Sequence, residues 1–200
     1  MRMKEDVLEQ IVEDYLQLHG YFTMHNVRFK PSADHPDYVR QNDAVPSDID
    51  VLGVNPHLTG PGRVMAVSCK AWQTGFPAGR LLAQLRGEAK NPKRRATELA
   101  FRELWISKWA SAFRDKLEEL ADSSEFTYCL AVTKLNGNGQ HWATDPTISA
   151  NLKGNPLKFL TLEEMWHAVL GQITKAPAPS EIGRLAQLLR AAGLTDTGSS

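Results

Sequence analysis

Ser47-Asp48-Ile49-Asp50-Val51-Leu52-Gly53-Val54, followed by Val64-Met65-Ala66-Val67-Ser68-Cys69-Lys70, is the pair of segments on which the fold turns. Both are short and mostly apolar, and between them runs Asn55-Pro56-His57-Leu58-Thr59-Gly60-Pro61-Gly62, a stretch of turn formers. The pattern reads as two adjacent antiparallel strands. Strand side chains alternate between faces. Asp48 and Asp50 are therefore expected on one face of the first strand, and Ser68 and Lys70 on one face of the second. Ile49, Val51, Met65, Val67 and Cys69 are expected on the other. Pairing across the turn brings the aspartates beside the lysine. Carboxylates next to an ammonium at the rim of a sheet can hold a hard divalent metal and a phosphate together.

The flanking elements follow from periodicity and punctuation. Lys4 to His19 carries Leu8, Ile11, Val12, Tyr15 and Leu16 on one helical stripe, with Gly20 as its C-terminal cap. Tyr21 to Phe29 reads as a strand. Pro31 to Pro46 holds three prolines and three aspartates and is expected to be a long mobile loop. Helices are predicted from Ala78 to Lys90 and, after Asn91-Pro92, from Arg94 to Ala121, with Leu99, Trp105, Trp109, Phe113, Leu117 and Leu120 in register. Phe126 to Lys134 is a buried strand, and Asn136 to Gly139 a turn. Lys158-Phe159-Leu160 is a further short strand leading into a helix from Leu162 to Leu170. Gln172 to Pro179 reads as a linker, Ser180 as the cap of a last helix, and Thr195 to Ser200 as disordered.

Two hundred residues with 42% hydrophobic content can bury one substantial core. The division expected is a main domain over 1–171, then a linker, C-terminal helix and tail over 172–200. Formal net charge is zero, which excludes a polycation built for indiscriminate nucleic-acid binding. The two cysteines, Cys69 and Cys129, sit in apolar strands and do not suggest a disulfide framework. The start of the chain lacks a signal-peptide apolar stretch, and no apolar run reaches bilayer length, so a cytoplasmic protein with no membrane contact is expected.

The Asp50 and Lys70 pattern resembles that of the PD-(D/E)xK nuclease superfamily, whose fold is restriction-endonuclease-like. In that family one strand supplies an aspartate and the next an acid, any residue and then lysine. Asp50 matches the aspartate and Lys70 the lysine. Ser68 stands where the family has its acid. The order of helix, three strands, helices and strand over Lys4 to Lys134 is similar to the family's core. The resemblance implies an α/β fold with a mixed central sheet flanked by helices. It also implies a Mg2+- or Mn2+-dependent endonuclease hydrolysing phosphodiester bonds, most readily in DNA.

By that resemblance Asp50 holds the metal, and Lys70 orients and helps deprotonate the attacking water or stabilises charge on the phosphate. The family often draws one more ligand from the first helix. Glu9 and Glu13 are the candidates, with Glu9 nearer the border of the apolar stripe. Asp48 is a second ligand or the strand entry. At Ser68 a held water or a neighbouring backbone carbonyl can replace the acid, or a carboxylate can reach in from the next helix, where Gln84 and Glu88 are one turn apart. Gln73 is a weak candidate for touching a phosphate or base edge. Trp72 is a stacking residue or a core residue. An ion pair of Asp50 with Lys70 that is purely structural remains the alternative.

Arg80 to Lys116 holds ten Lys and Arg against four Asp and Glu, the densest basic region of the chain. Lys90, Lys93, Arg94 and Arg95 cluster there, either to neutralise nucleic-acid phosphates or as a solvated face. No histidine pair has ligand spacing, no Cys-x-x-Cys is present, and there is no Gly-x-Ser-x-Gly nucleophile elbow. Two other readings stay open. One is a catalytically inactive nucleic-acid-binding module of the same fold. The other is a protein-interaction domain, with a homodimer or a partner subunit docked on the C-terminal helix.

Overall fold

The computed structural model describes residues 7–89, 94–174 and 176–194. Helix α1 (Val7–Leu18) leads into β1 (Phe22–Phe29), a short helix α2 (Arg40–Asp43), and the two strands β2 (Ser47–Val54) and β3 (Val64–Lys70). A two-residue strand β4 (Phe76–Pro77) runs into α3 (Ala78–Arg86). Three helical pieces come next, α4 (Arg94–Ala100), α5 (Arg102–Trp105) and α6 (Ser107–Ala121). The rest of the chain is β5 (Thr127–Val132), β6 (Leu135–Asn136), α7 (Gln140–Ala143), α8 (Pro146–Asn151), β7 (Leu157–Thr161), α9 (Leu162–Gly171) and α10 (Glu181–Ala191).

The main sheet has the order β1-β2-β3-β5-β7. β1, β2 and β3 are antiparallel neighbours, joined through 30–46 with its helix α2 and through the turn 55–63, whereas β3, β5 and β7 are parallel and are linked by helical crossovers. β5 lies in the middle of the parallel half. All six of its residues are buried, as a strand covered on both faces requires. This is an α/β fold with a mixed five-stranded sheet flanked by helices. No helix among the described residues is long and apolar enough to cross a membrane.

Two cores lie on the two faces of the sheet. On one, Leu52, Ala66, Tyr128, Leu130 and Val132 meet Leu82 and Leu85 of α3, Trp109, Phe113 and Leu117 of α6, and Trp142 of α7. On the other, Val51, Val67, Cys129 and Ala131 meet Leu8, Val12 and Leu16 of α1, Met165 of α9 and Ile182 of α10. Each large apolar side chain fully withdrawn from water contributes about 1.5–3 kcal/mol. The segment beyond residue 171 returns to this second core. Its helix α10 packs on α1 and α9, and the Ser180 hydroxyl donates to Asp14 Oδ2 at 2.5 Å while accepting from the Gly183 N–H.

A second, two-stranded sheet pairs β4 with β6 in parallel and braces the ends of β3 and β5. Phe76 N–H donates to the Lys134 carbonyl at 2.7 Å. The turn before it needs Gly75, whose φ is +81 and at which a Cβ would lie 2.9 Å from that same carbonyl.

Three sequence expectations differ from the structure. Pro31 to Pro46 is not loop throughout: it contains α2 and is tied down at one residue. Its Asp43 is buried and accepts from Lys108 Nζ at 2.6 Å, Trp109 Nε1 at 3.0 Å and Val39 N–H at 2.7 Å, which fastens α2 to α6. Nor is 94–121 one helix. It breaks at Phe101 (φ −136, ψ 36) and at Ile106 (φ −111, ψ 114), because burial of Phe101 among Phe76 and Trp142 outweighs helical continuity. The helix after β3 is also shorter than expected. It stops at Arg86, with Gly87 in the left-handed conformation as its cap. Residues 195–200, expected to be disordered, lie outside the described residues.

Burial works to raise the Asp43 carboxyl, but the hydrogen bonds from Lys108, Val39 and Trp109 outweigh it and hold the group below 3.8. A depressed native pKa gives stability that is present above the unfolded value and lost as pH falls through the native one. Asp43→Ala is therefore expected to cost about 3–5 kcal/mol at neutral pH, the penalty for stranding one partner of a buried pair. In urea denaturation the gap from wild type should narrow as pH drops below 3.8. A gap that does not change with pH would rule out the ionic origin.

Candidate functional site

β2 and β3 stay paired from Val54↔Val64 to Val51↔Val67 and then part. On its other side β3 remains paired with β5 as far as Lys70↔Val132. The result is a wedge at the end of the sheet, with Asp50 on one lip and Ser68 and Lys70 on the other. Continuing the register would set Ile49 opposite Cys69, so the Cys69 N–H is a ladder donor without a strand to receive it. Asp50 Oδ2 receives it instead, at 2.5 Å. That bond holds the carboxylate against β3, where the Lys70 charge acts on it.

The irregularity reaches the neighbouring strand. Asn26 of β1 falls opposite Asp50, has φ +52, and the two are not partners in the ladder. Ile49 packs in the core that holds Leu52, whereas Val51 packs in the other. The expected alternation thus holds along β3, where Val64 and Ala66 separate from Met65, Val67 and Cys69, but it breaks in β2 at Asp50.

Ser68 is buried, and its hydroxyl lies close enough to the Tyr128 oxygen to favour its ionised form. Tyr128, on β5 and fully buried, donates in turn to Glu103 Oε1 at 2.5 Å. Glu103 is a buried carboxylate on α5, and its charge is felt at Asp50. It was not among the sequence candidates. It sits where the chain was read as a continuous helix, and the available signal was an acid on the same helical stripe as Ala110, Phe113 and Leu117. Arg102 beside it fixes α5 from outside. Its guanidinium lies 3.8 Å from the Trp109 ring centroid and donates to the Pro46 carbonyl at 3.1 Å.

The electrostatics follow from burial. Desolvation pushes the Asp50 carboxyl above 3.8, and Asp48 and Glu103 push the same way. The Cys69 N–H and Lys70 oppose them without cancelling. Burial and the Glu103 carboxylate push the Tyr128 hydroxyl well above 10.0, so it remains a donor. Lys70 Nζ lies 5.5 Å above the centroid of Phe101, a cation–π contact that keeps the ammonium over the wedge.

The other candidates are placed as follows. Asp48 is exposed at the start of β2, opposite Arg28. Glu13 is engaged elsewhere. It accepts from Thr23 Oγ1 at 2.9 Å and Gln17 Nε2 at 3.1 Å and lies 3.1 Å from His25 Nε2. Glu9 is half-buried one turn earlier on α1, whose core covers the face of the sheet away from Phe101 and Glu103. Gln73 is exposed in the turn after β3. Glu88 is exposed past the end of α3, and Gln84 Oε1 accepts from Thr97 Oγ1 at 2.8 Å, so neither supplies the acid that Ser68 lacks. Arg94 and Arg95 are exposed at the start of α4. Arg94 Nε pairs with Glu98 at 2.7 Å, and Arg95 donates to Asn42 at 3.0 Å. Lys90 and Lys93 lie outside the described residues.

Among the described residues no three His, Cys, Asp or Glu side chains converge on one point. Asp50 is the carboxylate the wedge itself presents, and the charges of Asp48 and Glu103 act on it, so a cation there would draw on Asp50 with one of these acids and complete its shell with backbone carbonyls and water. That donor set is of oxygen only, and few protein ligands suit Mg2+, which keeps several waters.

No family model matches this chain, and no curated protein matches it. Among solved structures it is similar to a crystal structure described as that of a protein of unknown function, AF1548. The TM-score is 0.35 and the identity 16%, covering 93% of this chain and 77% of that one. A likeness of that size does not assign a fold.

A native carboxyl raised above 3.8 destabilises the folded state once it ionises. The cost sets in above 3.8, is complete above the native value, and vanishes as pH falls. Asp50→Asn keeps an acceptor for the Cys69 N–H and removes the charge. It should be more stable than wild type at neutral pH, with the difference closing in acid. In a carboxyl-carbon NMR titration, Lys70→Met should move Asp50 higher and Glu103→Gln should move it lower. Loss of stability in Asp50→Asn would make the Asp50 carboxylate, on the Cys69 N–H and under the Lys70 charge, a structural element.

Proposed function

We propose that this chain is a metal-dependent phosphodiesterase with a restriction-endonuclease-like core, acting on nucleic acid and on DNA first. One observation carries the reading. The Asp50 carboxylate is held on a backbone N–H of β3 beside Lys70, at the point where β2 and β3 separate and the buried Glu103 approaches through Tyr128. An acid desolvated next to two further acids is a poor structural element and a good cation ligand.

In this reading Asp50 and Glu103 would hold Mg2+ or Mn2+, with Glu103 filling the role that Ser68 does not. Such an ion lowers the pKa of a bound water and draws charge from a phosphoryl oxygen. Lys70 orients the attacking water and places a positive charge beside the phosphate as negative charge builds on it. Tyr128 holds Glu103 by a hydrogen bond from a hydroxyl that does not ionise. Ser68 orients Tyr128. Arg94 and Arg95, exposed at the start of α4, are the basic residues suited to bear backbone phosphates away from the reacting centre.

Wild-type protein should nick plasmid DNA in Mn2+. Asp50→Asn, Lys70→Ala and Glu103→Gln should each lower the rate by about 10²-fold or more, as loss of an acid–base or charge-stabilising group does, with melting temperatures that exclude unfolding. Ser68→Ala should have a smaller effect. Alanine at Arg94 and Arg95 should flatten the dependence of log affinity on log salt by about 0.9 for each duplex phosphate left without its cation. DNA binding without cleavage by wild type would favour the catalytically inactive module. No DNA binding at low salt would favour a protein-interaction domain, for which α10 offers the exposed Leu185 and Leu188.

A further inference from the structure

Beside the wedge lies an open groove of about 670 Å3 between the turn after β3, α3 and α4. Its lining is mixed. Trp72, Leu81 and Phe101 are apolar, and Gln84, Thr97 and Arg80 are polar. Phe101 connects the two places, since it borders the groove and its buried ring lies 5.5 Å from the Lys70 ammonium, centroid to nitrogen. The groove therefore begins where a phosphate at Lys70 would lie.

Trp72 is held as a rigid plate. Its backbone N–H donates to the Lys70 carbonyl at 2.8 Å, and its carbonyl accepts from the Gly75 N–H at 2.9 Å and from the Thr133 hydroxyl. Phe76 stacks on its indole at 5.4 Å between centroids and 13° between planes. A half-buried aromatic fixed in this way loses little entropy when a flat ligand stacks on it. Gln84 accepts the Thr97 hydroxyl through Oε1, which orients its amide and leaves Nε2 without a partner among the described residues. Arg80 is exposed on α3 and has no carboxylate partner among the described residues.

We propose that this groove receives an unstacked nucleobase, so that the substrate engaged is single-stranded DNA. The inference rests on the phosphodiesterase reading and specifies its substrate. A flat aromatic plate, an oriented amide for a base edge and a nearby cation for the phosphate are what single-strand recognition uses. The volume lies within the range of about 300–1,000 Å3 usual for small-ligand sites. One extruded base fits within it, whereas the bases of an intact duplex stay stacked on one another and present no free face to Trp72.

The test uses the full chain with Ca2+ in place of Mg2+, and compares an oligothymidylate with a duplex of equal length by fluorescence anisotropy. Wild type should bind the single strand at least about tenfold more tightly. Trp72→Leu should lose about tenfold on the single strand, the scale of one base–aromatic stack, and leave duplex affinity unchanged. Trp72→Phe should retain most of the preference. Arg80→Ala, at an exposed position that packing does not constrain, should weaken single-strand binding independently. Equal affinity for both strand forms, or equal losses on both in Trp72→Leu, overturns the groove assignment. Metal-dependent cleavage of duplex that needs Asp50 but not Trp72 removes the groove and keeps the phosphodiesterase. Trp72-dependent single-strand binding without cleavage in Mn2+ does the reverse.

Discussion

The hydrogen bond from the Cys69 N–H to the Asp50 carboxylate is the constraint around which this end of the molecule is arranged. A strand that loses its neighbour leaves backbone donors unpaired, and an unpaired buried donor costs about as much as the bond it has lost. β2 departs from β3 after Val51, yet the donor is satisfied by a side chain of the departing strand itself. The strands can then open without an orphaned N–H, and the opening is filled by charge. That charge is expensive. Burial and two neighbouring acids hold Asp50 above its ordinary pKa, so the ionised group opposes folding at neutral pH. Stability is given up at one point of an otherwise well-packed sheet, as functional sites commonly require.

The opening also depends on what stays closed. β3 keeps β5 as a partner through Lys70, and the β4–β6 pair ties together the turns that follow both strands. Only one side of β3 is therefore free to separate. Asp43 and Arg102 hold the entry of β2 against α5 and α6, the first through Lys108 and Trp109, the second through Trp109 and the Pro46 carbonyl. The wedge is thus a rigid gap between two anchored strands.

Most of the sheet was legible in the sequence because its cause is local. The alternation in Val64 to Lys70 and the turn formers at Asn55 to Gly62 determine strand, face and partner from neighbouring residues alone. Asp50 and Lys70 were readable for the same reason, since two adjacent strands joined by a turn have little choice of register. The alternation failed at Asp50 because its side chain, rather than its backbone, takes the Cys69 N–H, and no pattern in the sequence carries that. The segment 31–46 is largely exposed, as its polar composition suggests, but its anchor was not legible because Asp43 meets its cationic partner 65 positions away in the chain.

Glu103 was missed for a deeper reason. Nothing between Arg94 and Ala121 is a glycine or proline, and by propensity the whole stretch is one helix. What breaks it is tertiary. Phe101 is taken into an aromatic cluster with Phe76 and Trp142, at ring distances of 5.8 and 5.0 Å, and the backbone must leave the helical conformation to allow it. The same displacement turns Glu103 inward onto Tyr128, sets the Phe101 ring beneath Lys70 and completes the lining of the adjacent groove. A carboxylate near the strands can come from any element that reaches the same space, so a serine at position 68 does not by itself empty the site of acids. The acid arrives where the chain leaves the helix at Phe101 and again at Ile106, and where the Tyr128 hydroxyl meets it.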